Sequence, residues 1–516
     1  MLIDFSFSNF RSFRDEQSFS MTREKRFMES DESLHSPIAA IYGANASGKS
    51  NFLKALRAMR NMVVNSYSQG DASSPIPREP FLLRKDPFSH SSMFFLAFIA
   101  NDGLKYQYWF RYDNERILEE DLIFFKKLQG RFSTHSSLLF SRSSTDGVKF
   151  GPSFKGPRSQ VRKTIELRPN ALLLSAAAAA GIESIRPAFS FFQSGIAYYE
   201  ASAFEQEQPT LLDEFKKETP LSKHLATLIR YADFGISDVK SVPVDVPPDL
   251  WAQFKEEMHK QLGMDENKVD ETFNVKNASQ LMFTHTGESS SAGFGPDDES
   301  RGTVAALSFF SLALRQLSKQ SVTLIDEIDT SLHPALVKEL VALYADAETN
   351  PHGSQLIFTT HDVSLINQSG SAKRLLAPDQ IWLVEKNKEG VSELFPVTNL
   401  GIRNMENIGK NYLNGVYGAI PRPDFHTVLG VITVSDYPKP HVDDEWTQDI
   451  AEDYRNSRSD EERRRILLAA GYDKAHESEV KRLFDEPLEL ENRIKDEKKK
   501  AMIEKLKRRW KPIVGI

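Results

Sequence analysis

Apolar positions along the chain fall into blocks with two different spacings. The first 20 residues nearly alternate, with Leu2, Phe5, Phe7, Phe10 and Phe13 set among polar neighbours. A period close to two predicts strand, with a turn at Asn9. A polar stretch, Thr22 to Ser36, precedes Ile38-Ala-Ala-Ile-Tyr42, a wholly apolar run that predicts a short buried strand. Beyond it Leu53, Leu56, Met59 and Val63 keep the three-and-four spacing of a helix. Residues 67–80 are rich in Ser and Pro and read as a loop. From Phe81 to about Phe150 alternation returns in Met93–Ile99, Tyr106–Tyr112 and Leu122–Phe125, cut by turn signals at Asn101–Gly103 and Asp113-Asn114. That pattern predicts an antiparallel β-meander. Leu172–Ala180 reads as a helix, and 185–265 as mostly helical with a loop at Pro243–Pro248. A second β/α segment spans about 280–425, and the charged stretch from His441 onward reads as helical. No run of heptads is long enough for a coiled-coil arm.

Composition narrows the chemistry. At 516 residues, with roughly 150 residues per domain, about three units are expected. Hydrophobic residues are 40% and charged residues 27%, as in ordinary soluble proteins. The chain has no cysteine, which removes disulfides, thiolate nucleophiles and sulfur-ligated zinc. A net charge of -7 argues against a chain-wide nucleic-acid surface and leaves only local patches. The longest apolar stretch, Ala171–Ile182, falls short of the ~18 residues that a membrane span needs. Met1–Phe5 lacks a basic region ahead of an apolar run, so a cytoplasmic protein without a membrane partner is expected.

Against this background four short segments carry chemistry. Gly43-xxxx-Gly48-Lys49-Ser50 is a complete P-loop, placed between a predicted strand and a predicted helix. Its glycines let backbone N–H groups turn toward phosphate at a helix N-terminus. Lys49 would reach the β/γ-phosphates of ATP and Ser50 would hold Mg²⁺. Ser321-Val-Thr-Leu-Ile-Asp326-Glu327 is an apolar strand ending in two acids. Asp326 would carry Mg²⁺ and Glu327 would orient or deprotonate the attacking water. Leu356-Ile-Phe-Thr-Thr-His361 is a third strand, ending in a histidine placed to sense a γ-phosphate. Glu299-Ser300-Arg301-Gly302-Thr303 opens a helical run and reads either as a second anion site or as a plain N-cap.

In this order the set resembles the ABC-type ATPase head of the SMC, recombination-repair and OLD-like proteins. Asn9-Phe-Arg-Ser-Phe13 is similar to their opening segment, Glu299–Thr303 to their variant signature, Asp329-Thr-Ser331-Leu-His-Pro334 to their D-loop and His361 to their switch histidine. Phe81 to Phe88 occupies the region of their Q-loop. The resemblance covers about residues 1–425. It implies an α/β fold, an ABC-type P-loop ATPase head with an inserted antiparallel β-meander and helical region, plus a charged helical C-terminal extension. The implied divisions are 1–180 and 281–425 for the two halves of the head, 181–280 for a helical insertion and 426–516 for the tail. Gly43, Asn45, Gly48, Lys49, Ser50 and Asn51 would bind ATP, with Ser50 and Asp326 on Mg. Glu327 and His361 would be catalytic. Ser300, Gly302 and Thr303 would act in trans, with Asp329 and Ser331 in the D-loop of a head-to-tail dimer or higher oligomer. The signature departs from the Leu-Ser-Gly-Gly-Gln of transporters, which fits the OLD-like side.

Tyr412-Leu-Asn-Gly-Val-Tyr-Gly-Ala-Ile-Pro421 looks like the closing segment of bacterial anti-phage and abortive-infection ATPases, such as those of the Septu, PARIS and RloA groups. That likeness implies a subunit that senses infection and controls a separately encoded nuclease or toxin. A DNA-repair head acting on DNA ends is the alternative; it predicts a coiled-coil insertion, which the pattern lacks. A Toprim nuclease needs an Asp-x-Asp pair after a strand, and none follows Glu385, so no nuclease site is expected in this chain. His441 and His476 stand beside acids and read as solvated helix faces rather than metal sites. The tail is polarised: Asp443–Glu462 holds nine acids and two bases, Arg493–Lys511 ten bases and three acids. Its amphipathic basic stretch fits an effector-docking surface, a nucleic-acid contact or a helix packed on its own domain.

Overall fold

The computed structural model describes residues 1–28, 33–69, 71–200, 207–232, 235–244, 248–262, 264–265, 279–330, 332–367, 374–402 and 406–420. Ser331, the end of the closing segment at Pro421, the histidines His441 and His476 and the whole tail 426–516 lie outside the described residues. The chain forms two compact units, Met1–Val242 with Gln280–Pro421, and Pro243–Ser279 with Arg422–Ile516. In the second, the described helix Pro248–Leu262 buries Phe254 and Met258, four residues apart on one face, and stacks Trp251 on Phe254.

The first unit is mixed α/β. Its central sheet has six strands in the order β16-β15-β3-β14-β13-β9. These are β3 (Ile38–Gly43), β9 (Ile196–Tyr199), β13 (Val322–Ile325), β14 (Gln355–Thr359), β15 (Ile381–Lys386) and β16 (Ser392–Pro396). Only β16, at one edge, runs antiparallel. Both faces are covered, which explains why β3, β13 and β14 read as unbroken apolar runs. Successive side chains of β3 still part company. Ala39 and Ile41 join a core with helix α1 (Lys49–Asn65), while Ile38, Ala40 and Tyr42 join a second core with helices Pro220–Tyr231, Arg301–Leu317 and Pro334–Ala345.

A seven-stranded antiparallel sheet closes the first core. Its order is β2-β1-β4-β5-β6-β7-β8, from β1 (Leu2–Ser8), β2 (Gln17–Ser20), β4 (Ser92–Ile99), β5 (Lys105–Tyr112), β6 (Ile117–Leu128), β7 (Arg131–Ser143) and β8 (Gly147–Phe150). The expected meander is present, but it begins at Ser92 rather than Phe81, and the N-terminal strands extend it. Phe5, Phe7, Phe13, Phe19 and Phe52 are fully buried between this sheet and α1. Each contributes roughly 1.5–3 kcal/mol of burial. The turn read at Asn9 is there: Asn9 takes φ 53° and Arg11 φ 50°. Asn9 donates to the carbonyls of His90 and Ser91 and accepts from Phe81 N–H, which ties the turn to the loop before β4.

Among its described residues the stretch 181–280, read as helical, also has two strands lying wholly inside it. One is β9, which pairs with β13 in the central sheet; the other is β10 (Ile236–Pro243), beside β11 (Ser279–Thr286) and β12 (Ser291–Phe294) in a three-stranded sheet. Residues 406–420 fold back over the second core. Tyr412 from helix Ile408–Leu413 packs edge-on against Tyr42, with ring centroids 5.7 Å apart. Tyr42 in turn donates its hydroxyl to the Asp362 carbonyl, 2.9 Å away. Among the described residues no helix is long and apolar enough to cross a membrane.

Candidate functional site

Parallel strands β3, β13 and β14 end on the same edge of the sheet, so their sequence-distant tips converge. Residues 43–48 turn from β3 into α1, whose N-cap is Gly48 at φ 120°. That backbone suits glycine alone, and space agrees: a Cβ there would lie 2.6 Å from Ser392 Oγ and 2.9 Å from Ser12 Oγ. A Cβ on Gly43 would strike the Val384 carbonyl oxygen. The loop is thus walled by β16 and by the N-terminal turn.

Lys49 is buried, and its ammonium donates to the carbonyls of Gly43 (2.9 Å) and Ala44 (3.1 Å). Burial lowers its pKa, against the opposing pull of Glu327, Asp326 and Asp329. Ser50 donates to Asp326 Oδ1 at 3.0 Å, joining α1 to the tip of β13. A hydroxyl and a carboxylate beside a helix N-terminus are oxygen donors that fit a hard cation such as Mg²⁺. Asn45 is exposed on the loop. Asn51 faces the N-terminal turn instead, donating to Ser12 Oγ at 2.9 Å and accepting from Arg11.

Asp326 is 9% exposed, whereas Glu327, the next residue, faces outward. The reversal comes from a left-handed backbone at Glu327, φ 53°. A side chain there costs roughly 1–2 kcal/mol and persists only where neighbours hold it. Here Glu327 N–H donates to Thr359 Oγ1 (2.7 Å) and Ile328 N–H to the Thr359 carbonyl (3.1 Å). His361 follows two residues later, and its backbone N–H approaches both carboxylate oxygens of Asp329 at 3.4 and 3.3 Å. Its imidazole pKa is lowered, by burial first and then by the Lys49 charge, over the opposing effect of Asp329 and Glu327. Lys49, Ser50, Asp326, Glu327, Asp329 and His361 therefore meet in one place.

Ser300 is the N-cap of helix Arg301–Leu317. Its hydroxyl accepts from Thr303 N–H at 3.0 Å and lies 2.8 Å from Thr303 Oγ1. The preceding Glu299 is held by His285 Nε2 at 2.6 Å. Among the described residues no hydrogen bond or ion pair joins Ser300, Gly302 or Thr303 to the P-loop group. Thr359 and Ser392 are not marked by the sequence: threonine is ordinary in a strand, and Ser392 is distant from the loop it walls. Tyr412, in the closing segment, is marked, but nothing local in the sequence indicates its approach to Tyr42.

Residues 38–367, well over half of the chain, match the family described as "AAA domain, putative AbiEii toxin, Type IV TA system". The chain belongs to this AAA-domain ATPase family. No curated protein matches it in sequence. Among solved structures this AAA-domain protein is similar, at 15% identity and TM-score 0.39, to the Smc head bound to the C-terminal winged-helix domain of ScpA, over 78% of this chain and 99% of that one. It is also similar to the recombination mediator protein RecF-ATP of the RecFOR pathway, at 13% identity and TM-score 0.29, over 77% of this chain and 99% of that one.

Proposed function

We propose that this AAA-domain protein binds Mg-ATP at Gly43–Asn51 and hydrolyses it as an ABC-type head. The observation that carries the reading is the meeting of Lys49, Ser50, Asp326, Glu327 and His361 at the tips of three parallel strands. In it Lys49 leaves the loop carbonyls for the β/γ-phosphates, and Ser50 and Asp326 hold the cation. Glu327 orients the water and His361 contacts the γ-phosphate. Bound Mg²⁺ supplies charge neutralisation on the phosphate oxygens. Ser300, Gly302 and Thr303 serve the nucleotide of a second copy, with Asp329 and Ser331 at the junction.

The biological role proposed is that of a cytoplasmic anti-phage defence subunit. Its ATP-dependent dimer, or a higher oligomer, controls a separate nuclease or toxin through the C-terminal region. The Tyr412–Pro421 resemblance and the toxin–antitoxin description of the family support it.

Lys49→Ala is expected to abolish binding of a fluorescent ATP analogue. Glu327→Gln is expected to bind ATP, hydrolyse it at least a hundredfold more slowly and accumulate as dimer in light scattering. A Lys49→Ala protein with native affinity would refute the P-loop assignment. A monomeric, fully active Glu327→Gln protein would refute the role of Glu327.

A further inference from the structure

We infer that Thr359 is a positioning residue that sets both acids of the site through one hydroxyl. Thr359 is fully buried at the tip of β14. Its Oγ1 lies 2.7 Å from Asp326 Oδ1 and 2.7 Å from Glu327 N. The polarity of both bonds is forced. A carboxylate only accepts and an amide N–H only donates, so the single hydroxyl proton goes to Asp326 and a lone pair receives Glu327. One atom thereby fixes the cation-side carboxylate and the backbone of the water-side glutamate.

The two bonds do different things. Asp326 Oδ1 is shared between Thr359 and Ser50, which donates at 3.0 Å. The carboxylate is thus held from β14 on one side and from the P-loop helix on the other. The bond to Glu327 N–H holds a non-glycine residue in the left-handed region, and its side chain is exposed where that of Asp326 is buried. The Thr359 carbonyl, accepting from Ile328 N–H, holds the far end of the same turn. His361 stands two residues further along β14's exit. Strand β14 therefore carries the histidine and aims the glutamate as one piece.

This inference rests on the proposed ATP hydrolysis, and the test separates the two. Steady-state kcat and KM for ATP, with affinity for a fluorescent ATP analogue, are measured for the full chain and for Thr359→Val, Thr359→Ala and Thr359→Ser. Valine keeps the shape and alanine the fold if valine does not; both lack the hydroxyl. Serine keeps it. Expected is a fall in kcat of at least tenfold for valine and alanine, with analogue affinity within about threefold of wild type, because Lys49 and the loop amides are untouched. Serine restores kcat to within about threefold. The inference is overturned if valine or alanine turns over at the wild-type rate. It is also overturned if serine is as slow as valine, since the methyl packing and not the hydroxyl would then matter. A wild-type chain that binds the analogue but releases no phosphate refutes the hydrolysis reading itself, and this inference with it.

Discussion

His361 has a lowered pKa because it is partly buried and shares its surroundings with the Lys49 ammonium. Its ordinary value is about 6.5, so the ring stays neutral through neutral pH and takes a proton only below that value. The sign for stability follows. Between the ordinary value and the lower folded one, the unfolded chain binds a proton that the folded chain does not, so folding weakens as pH falls through that window. For kcat/KM, whose pH dependence reports the nucleotide-free enzyme, the part of the acid limb owed to His361 is expected below pH 6.5 and is expected to be missing from a His361→Gln profile. A limb centred above pH 6.5 that vanishes in the variant contradicts the assignment. At this scale the sequence is legible where chemistry dictates spacing: it marks Gly43 to Ser50, Asp326-Glu327 and His361, and the structure brings these to neighbouring strand tips. Thr359 was not legible, because threonine is also a common strand residue and only the register of β14 beside β13 gives its hydroxyl two partners.

Elements are pinned to one another by a few buried polar side chains. Glu120 on β6 is fully buried; it accepts from the N–H groups of Leu173 and Leu174, at the start of helix Leu173–Ala179, and from the Tyr108 hydroxyl. The Arg142 guanidinium lies 3.5 Å away and donates to the carbonyls of Ala171 and Pro169. A carboxylate at a helix N-terminus, paired in a dry core, is costly to remove because its partners are left behind. Glu120→Ala is expected to cost about 3–5 kcal/mol. The neighbouring Glu119 pairs with Arg111 on the solvent side at 3.0 Å. Its replacement by alanine is expected to cost under about 1 kcal/mol. Denaturant midpoints for the two variants compare them directly, and equal shifts would refute the contrast. Strand β9 marks a limit of the sequence reading. Ile196–Tyr199 is four residues long, follows helix Arg186–Ser194 and shows no alternation of its own. Its extended form comes from pairing Ile196–Tyr199 with Val322–Ile325, a partner over a hundred residues away.

At the scale of the molecule, the described residues hold the short strands around 38–42, 321–325 and 356–359 and the antiparallel meander that the pattern predicts, but their order in the sheet is not deducible from it. The P-loop strand is third from one edge, flanked by β14 and β15, both from the far half of the chain. Apolar runs announce burial but carry no address for a partner strand. Residues 406–420 belong to the same problem of long-range closure. Ile408, Tyr412, Tyr417 and Ala419 complete the core under β3, and Glu406 gathers Asn411 and the Tyr417 hydroxyl into the fold of the segment.

The contact of Tyr412 with Tyr42 gives this segment the place of a keystone. Tyr42 immediately precedes Gly43, and its hydroxyl donates to the carbonyl next to His361, so the late segment backs both the 43–48 loop and the stretch that carries His361. Shortening the chain from its far end is therefore expected to have a threshold. A protein ending at Ile420 keeps this backing, and its affinity for an ATP analogue is expected to stay within about threefold of the full chain. One ending at Ile402 leaves Tyr42 uncovered and is expected to lose at least tenfold in affinity, about 1.4 kcal/mol or more. Equal affinities in titration of the two shortened proteins would deny the keystone role. The loop that opens the domain is finished only when the chain returns to it some 370 residues later.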